Sequence, residues 1–241
     1  MIKVILLLTG ILFINQSVAE GGHPDDPWEG WNRKVFVFNE TLDTYVLKPV
    51  AKGYKAVAPA PVEKGVSNFF DNIGEVGNIV NDLLQGKLEQ AANDTGRVLI
   101  NSTLGIAGFF EIAEPMGLKK SDGEDFGQTL AAWGVGQGNY LMIPFLGPST
   151  LRDGPGKVVD AYTNPISYVD HVPTRNTLLG SSVVDVRAEL LDVEKLAKGD
   201  RYSLVRDVYL QRREFLIHDG EVEDDFGGYE EADDYYDSDT Q

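Results

Sequence analysis

Large apolar residues recur along this chain mostly at steps of three and four, a spacing that predicts helices rather than strands. Between residues 28 and 45 the repeat is Trp28, Trp31, Val35, Phe38, Leu42 and Tyr45, widened by Phe36 and Val37. It begins at a well-formed helix start: Asp26 can cap, Pro27 suits the first helical position, and Glu29 stands where a capping box places a carboxylate. Pro49 is expected to end or bend this helix. Pro59 and Pro61 mark a break before a second repeat, from Val62 and Val66 through Phe69, Phe70, Ile73, Val76, Ile79 and Val80 to Leu83 and Leu84. Gln85-Gly86 reads as its terminus. A third helix is expected over 87–101, with Leu88, Ala91, Ala92, Thr95, Val98 and Leu99 on one face. Short connections make these helices antiparallel neighbours.

The periodicity then breaks. Phe109, Phe110, Ile112 and Ala113 suggest a brief helix, residues 125–133 suit a helix start, and YLMIPFL (140–146) reads as a short extended segment. Helices resume over 156–162, over 176–198 with Leu178, Val183, Val186, Leu190, Val193 and Leu196, and over 200–217 with Tyr202, Val205, Val208, Tyr209 and Leu216 turned inward. No internal repeat is evident.

Composition sharpens this outline at both ends. Lys3, the apolar run VILLLTGILFI (4–14) and the small residues Ser17 and Ala19 form a cleavable export signal over 1–19. Residues 221–241 hold ten acidic and no basic residues and are expected to be a disordered acidic tail. The net charge is −17, yet 20 basic residues face 28 acidic ones once the tail and Lys3 are set aside. Nucleic-acid binding, which needs clustered Lys and Arg, is not expected. The chain has no cysteine, so packing must stabilise residues 20–220 without disulfides, and no thiolate can serve as nucleophile or metal ligand.

Motifs for covalent chemistry lack their companions. Asp125-Phe126-Gly127 matches a kinase magnesium motif, without a glycine-rich strand loop or a catalytic His-Arg-Asp. A capped helix beginning at Asp125 is the better account. Gly134, Gly136 and Gly138 have no adjoining Lys-Ser or Lys-Thr and read as a flexible turn, not a phosphate cradle. No Gly-x-Ser-x-Gly elbow occurs, and His23, His171 and His218 are scattered. The acidic pairs Asp224-Asp225 and Asp233-Asp234 lack the turn glycine and closing glutamate of a calcium loop. No metal site, cofactor or enzyme activity is expected.

One stretch stays unusual. Residues 104–147 hold nine glycines and a crowd of large side chains, and nothing between Asp125 and Arg152 is charged. Phe109, Phe110, Phe126, Trp133, Tyr140, Met142 and Phe145 cannot all point inward from so broken a segment. Either the segment winds through a core, or part of it faces lipid with Trp and Tyr near the headgroups. Composition alone favours burial.

Four ordered blocks carry a resemblance: DPWEGWNRKVFVFNETLD (26–43), NFFDNIGEVGNIVNDLLQGK (68–87), RVLINSTLGIAGFFEIA (97–113) and DFGQTLAAWGVGQGNYLMIPFLGPSTLRDGPG (125–156). Together they resemble the MlaA/VacJ family, over nearly all of 26–217. The resemblance implies an all-α fold: a single ring-like domain of amphipathic helices around a central channel, lying in the inner leaflet of the outer membrane. It implies a non-enzymatic channel that removes misplaced phospholipid from the outer leaflet for retrograde transport and so maintains lipid asymmetry. The implied partners are phospholipid, an outer-membrane porin trimer and a soluble periplasmic lipid carrier. Phe109, Phe110, Phe126, Trp133, Leu141, Met142 and Phe145 are the expected lipid contacts, and Asn39, Asn78 and Asn81 the expected polar channel lining. Family members commonly carry a lipobox cysteine. Its absence here leads to the expectation of an outer-membrane protein on the periplasmic side that is not a lipoprotein. The alternative function is a helical periplasmic scaffold whose acidic tail binds a basic partner.

Overall fold

The computed structural model describes residues 23–194 and 199–220. The expected export signal, the acidic tail and the end of the 176–198 helix, including Leu196, lie outside the described residues. The chain runs through α1 (Glu29–Leu42), a π-helical turn (Asp43–Leu47), α2 (Lys48–Val57), α3 (Ala60–Gln85) and α4 (Leu88–Thr103). After an irregular segment come α5 (Phe126–Ala132), the strands β1 (Tyr140–Ile143) and β2 (Gly147–Thr150), then α6 (Asp153–Thr163), α7 (Val172–Val193) and α8 (Arg201–Ile217). The fold is mostly helical, as expected, with one antiparallel hairpin that pairs Tyr140 with Thr150 and Ile143 with Gly147. The segment read as extended is β1.

Local chemistry explains most boundaries. Gly86 adopts a left-handed φ of 81° and ends α3, while the Lys87 N–H closes onto the Asp82 carbonyl at 2.9 Å. Asp125 caps α5 by accepting the Gln128 N–H at 2.9 Å. Asp200 caps α8 in the same manner, through the Tyr202 N–H. Pro49 does not end the first helix. The backbone widens into the π turn just before it and continues as α2, which accommodates a residue that cannot donate. Asp26 caps nothing: the residue preceding α1 is Trp28, and Glu29 instead holds Arg33 at 2.7 Å. The brief helix expected at 109–113 is absent. Ile106 and Ala107 sit at positive φ, so the chain turns sharply and forms only a 3₁₀ turn at Glu114–Met116.

The elements close a circuit. α1 packs on β1, β1 pairs with β2, β2 touches α6, and α6 packs on α5. From α5 contact passes to α3, then α7, then α2, and returns through the π turn to α1. α4 lies along α3 as its antiparallel neighbour, and α8 spans α5 and β2. Arg187 ties the circuit where α7 meets the π turn, holding Asp43 at 2.6 and 2.8 Å and Glu194 at 2.7 Å. Lys48 reaches the same Glu194 at 2.8 Å, and the hydrogen bonds from Lys48 and Arg187 bring its carboxyl down to about 2.

Apolar cores are small. Val35, Tyr140, Met142 and Tyr202 form one, and Ala51, Ala188 and Leu191 another. Where elements approach closely, small residues make room. A Cβ on Gly65 of α3 would lie 2.2 Å from the Phe109 ring. We therefore expect Gly65→Ala to destabilise the fold by about 1–3 kcal/mol through overpacking. Denaturant unfolding checks this: adding Phe109→Leu should restore part of the loss, and additive costs in the double variant would show that the two sites do not meet.

Candidate functional site

Part of the interior and part of the surface are exchanged relative to a water-soluble bundle. Arg97, Arg206, Arg213, Asp94, Asp153 and Glu75 are buried, while Phe110, Trp133, Phe145, Leu146, Leu88 and Leu99 are exposed. On α4 the apolar face buries Ala91 but leaves Leu88 and Leu99 more than 60 % exposed. The adjacent face, with Asp94, Arg97 and Asn101, is buried. On α3, Gly65, Asn72, Glu75 and Asp82 share one buried face. No helix among the described residues is long and apolar enough to cross a membrane.

Three buried networks engage most of these polar groups. In the first, Arg97 is 2 % exposed and binds Glu75 at 3.1 Å, Glu111 at 3.0 Å and the Leu118 carbonyl at 2.9 Å. Asn101 donates to Glu111 and accepts the N–H groups of Ile112 and Ala113 at 2.8 and 2.9 Å, which fixes the irregular segment onto α4. Burial pushes the Glu111 carboxyl up, but the hydrogen bonds and the Arg97 charge more than reverse this and leave it below its ordinary value. Glu75 is more deeply buried, and desolvation leaves it above.

In the second network Asp26 accepts the Tyr202 hydroxyl and the Asn32 amide, the latter at 2.8 Å, with Arg206 at 3.4 Å. Asn32 also donates to the Tyr140 carbonyl at 3.2 Å and accepts the Met142 N–H at 2.9 Å, so one buried amide completes the edge of β1. The third joins α5, α6 and α8. Arg213 binds Asp125 and Asp153, Arg152 binds Asp153 at 2.9 Å, and Tyr209 donates to Asp153 at 2.9 Å. Gly127 is required here, since its Cβ would meet Asp153 at 2.5 Å and Arg213 at 2.7 Å. The Asp-Phe-Gly sequence is thus a structural junction. Among the described residues no cluster of three or more acidic, His or Cys side chains is arranged to hold a metal ion.

The expected site residues divide among different surroundings. Phe110, Trp133 and Phe145 are exposed. Trp133 stands edge-on to half-buried Phe126 at 5.9 Å and donates to the Leu84 carbonyl at 3.1 Å. Phe145 stands edge-on to Phe38 at 5.2 Å. Leu141 and Phe109 are half-buried, Phe109 against Gly65. Met142, expected to contact lipid, is instead a core residue at 2 % exposure. β1 alternates, and its even positions face α1 and α8. The three asparagines lie apart. Asn39 pins the hairpin, donating to the Ile143 carbonyl at 3.0 Å and accepting the Phe145 N–H at 2.8 Å. Asn78 accepts the Glu124 N–H, and buried Asn81 accepts the Thr129 hydroxyl at 2.8 Å. All three bind backbone or side chains of other elements.

What the prediction missed is a polar cavity of about 400 Å³ lined by α2, α3, α7 and the segment around Glu111 to Lys120. The Tyr54 hydroxyl of α2 donates to Asp185 of α7 at 3.2 Å, and Ser67 of α3 donates to Glu189 of α7. Burial, then Asp185, Glu63 and Glu189, push the Tyr54 hydroxyl up to about 12. Asp185 is raised by burial and by Glu189, Asp71 and Glu63, against the hydrogen bond from Tyr54. The available signal was helical spacing of polar residues: Glu63, Ser67 and Asp71 recur every four on α3, as do Asp185 and Glu189 on α7. An arrangement of this kind can conduct or hold a polar group while apolar groups stay outside.

Buried charges, large exposed apolar side chains and a polar cavity define the class: a mostly helical protein with a polar interior and an apolar outer surface. The particular family follows from comparison. The profile described as MlaA lipoprotein matches residues 24–216, and the chain belongs to that family. It is 37 % identical over 204 residues to the intermembrane phospholipid transport system lipoprotein MlaA of Shigella flexneri, covering 82 % of this chain and 80 % of the relative. The Escherichia coli K12 protein of the same name is 36 % identical with the same coverage, and that of Haemophilus influenzae 31 % identical over 86 % of this chain and 85 % of the relative. A structure solved in work on the structural basis for maintenance of bacterial outer membrane lipid asymmetry superposes with a TM-score of 0.70 at 34 % identity, over 80 % of this chain and 98 % of the other. These findings correct one expectation. The absence of cysteine led to a protein that is not a lipoprotein, whereas the family and these relatives are lipoproteins by name.

Among the buried groups with unpartnered polar atoms, Asp82 is the one whose carboxylate lacks a donor on both oxygens. Asp82 is fully buried, and neither carboxylate oxygen meets a donor among the described residues. Burial, then Asp94 and Glu124, push its carboxyl up to about 7, with Lys87 opposing. Between about pH 4 and 7 the folded protein keeps this proton while the unfolded chain has released it, so stability falls as pH rises through that window. Asp82→Asn should therefore raise the Tm at pH 8 by several degrees and much less at pH 5. Equal gains at both pH values would show that Asp82 does not carry the effect.

Proposed function

We propose that this chain moves phospholipid between the outer membrane and the periplasm as a non-enzymatic conduit, withdrawing misplaced lipid from the outer leaflet and so maintaining lipid asymmetry. The observation that carries this reading is the exchange of interior and surface. In water, exposed Phe110, Trp133, Phe145 and Leu146 would be a liability. In a bilayer they match the solvent, while charged groups stay paired inside protein, where hydrocarbon does not reach them. A headgroup can then travel along the polar cavity with its chains against apolar walls, which lowers the cost of carrying charge through hydrocarbon. The transport names of the relatives support the same reading. In this scheme residues 20–220 form the transporting domain, a porin trimer flanks it in the membrane, and a soluble periplasmic carrier accepts the lipid.

Two experiments test it. Deleting the gene should raise outer-leaflet phospholipid and detergent sensitivity; unchanged asymmetry in a clean deletion without a redundant homologue would sink the idea. Lipid contact is tested with Phe110→Asp combined with Phe145→Asp. Phe145 has φ of 66°, which aspartate tolerates better than phenylalanine. Each carboxylate costs about 2–3 kcal/mol where it meets hydrocarbon. The folded variant should thus leave the membrane fraction by at least about tenfold relative to the native chain. A variant that folds and stays bound would place these rings away from lipid.

A further inference from the structure

The cavity between α2, α3 and α7 carries an unbalanced charge. Six carboxylates line it against three lysines, and one of the six, Glu111, is already bound to Arg97 at 3.0 Å. Two of those lysines are already engaged, Lys55 with Asp192 and Lys120 with Asp71, each at 2.6 Å. Glu63, Asp185 and Glu189 gather round Tyr54, and all three push its hydroxyl towards the neutral form. Asp185 is 5 % exposed, while Glu63 is half-buried and Glu189 exposed, so dissolved salt reaches the carboxylates around Tyr54. Lys64, from α3, adds a third ammonium to the lining.

We propose that this cavity selects phospholipids by net headgroup charge, admitting those whose phosphate is balanced by an ammonium group over those with a net negative headgroup. The proposal rests on the conduit reading above and concerns the same cavity. An ammonium group beside Tyr54 finds carboxylates on two facing helices and an aromatic ring that attracts cations. The phosphate of such a lipid is neutralised within its own headgroup and brings no net charge. A headgroup without an ammonium brings one uncompensated negative charge into a field of the same sign and gains nothing at Tyr54. Discrimination thus comes from repulsion of one class as much as from attraction of the other. The three networks around Arg97, Arg206 and Arg213 do not supply a counter-field, because each arginine is already bound to carboxylates.

The full chain, purified in mild detergent, is offered vesicles containing equal amounts of phosphatidylethanolamine and phosphatidylglycerol, and native mass spectrometry identifies the lipid it retains. Phosphatidylethanolamine should exceed phosphatidylglycerol by at least about threefold at low salt. The ratio should fall towards one in about 1 M salt, where the Debye length is short. It should also fall in the Glu63→Gln/Glu189→Gln variant, whose side chains are solvent-accessible enough to be replaced without loss of fold, as circular dichroism would verify. Glu189→Lys should reverse the preference. Equal retention by the native chain, or an unchanged ratio in the folded double variant, overturns the selection while leaving the conduit. Retention of neither lipid overturns the conduit reading and the selection with it.

Discussion

The charged side chains inside this protein have to find partners inside it, and most of the architecture follows from that requirement. Arg97 shows how. A guanidinium with almost no access to solvent needs acceptors on every edge, and it takes them from α3, from the loop carrying Glu111 and from the Leu118 carbonyl. Removing one member of such a set leaves an uncompensated buried charge, which costs about 3–5 kcal/mol. Three elements without a common apolar core are held in register by one cation. Asp26 and Arg213 repeat the device, joining α8 to the N-terminal segment and to α5 and α6.

A polar interior of this kind is a weak source of stability in water, because desolvation offsets much of the attraction between charges. It becomes favourable when the outer surface meets hydrocarbon. Large apolar side chains then lose no hydration by staying outside, and packing against small residues such as Gly65 and Gly127 supplies the close contacts between elements. The circuit from α1 to α7 and back arranges this with amphipathic helices and one hairpin, none of them a membrane span. The irregular segment near Phe109 is tolerated because Asn101 and Arg97 satisfy its backbone. Asn32 and Asn39 do the same for β1. Irregular backbone at a lipid-facing surface needs such internal donors and acceptors.

Much of the fold was legible in the chain. The helical repeats, Gly86 as a terminator, Asp125 as a cap, and the extended segment at Tyr140 all depend on interactions within a few residues, which sequence records directly. The blocks of residues that resemble the MlaA/VacJ family were likewise legible, and the family is confirmed. The site was less so. Asn39, Asn78 and Asn81 were read as lining because an amide in an apolar helix suggests a polar surface, yet each is engaged with another element. Met142 was read as a lipid contact, yet the pleat of β1 turns it inward. The cavity around Tyr54, Asp185 and Glu189 was not anticipated, because its members come from helices distant in sequence.

Taken alone, the sequence determined most of the helical segments, several of their ends, and the family to which the chain belongs. These follow from local backbone preferences and from ordered motifs. It did not determine which face of each helix turns inward. On α4 and α3 an apolar face and a polar face were both available, and periodicity does not choose between them. The tertiary structure decided that question, because buried charges are tolerable only where partners from other elements meet them. Whether Asp94, Arg97 and Asn101 point in or out is set by Ser121, Glu75 and Glu111, and no periodicity within one helix contains that information.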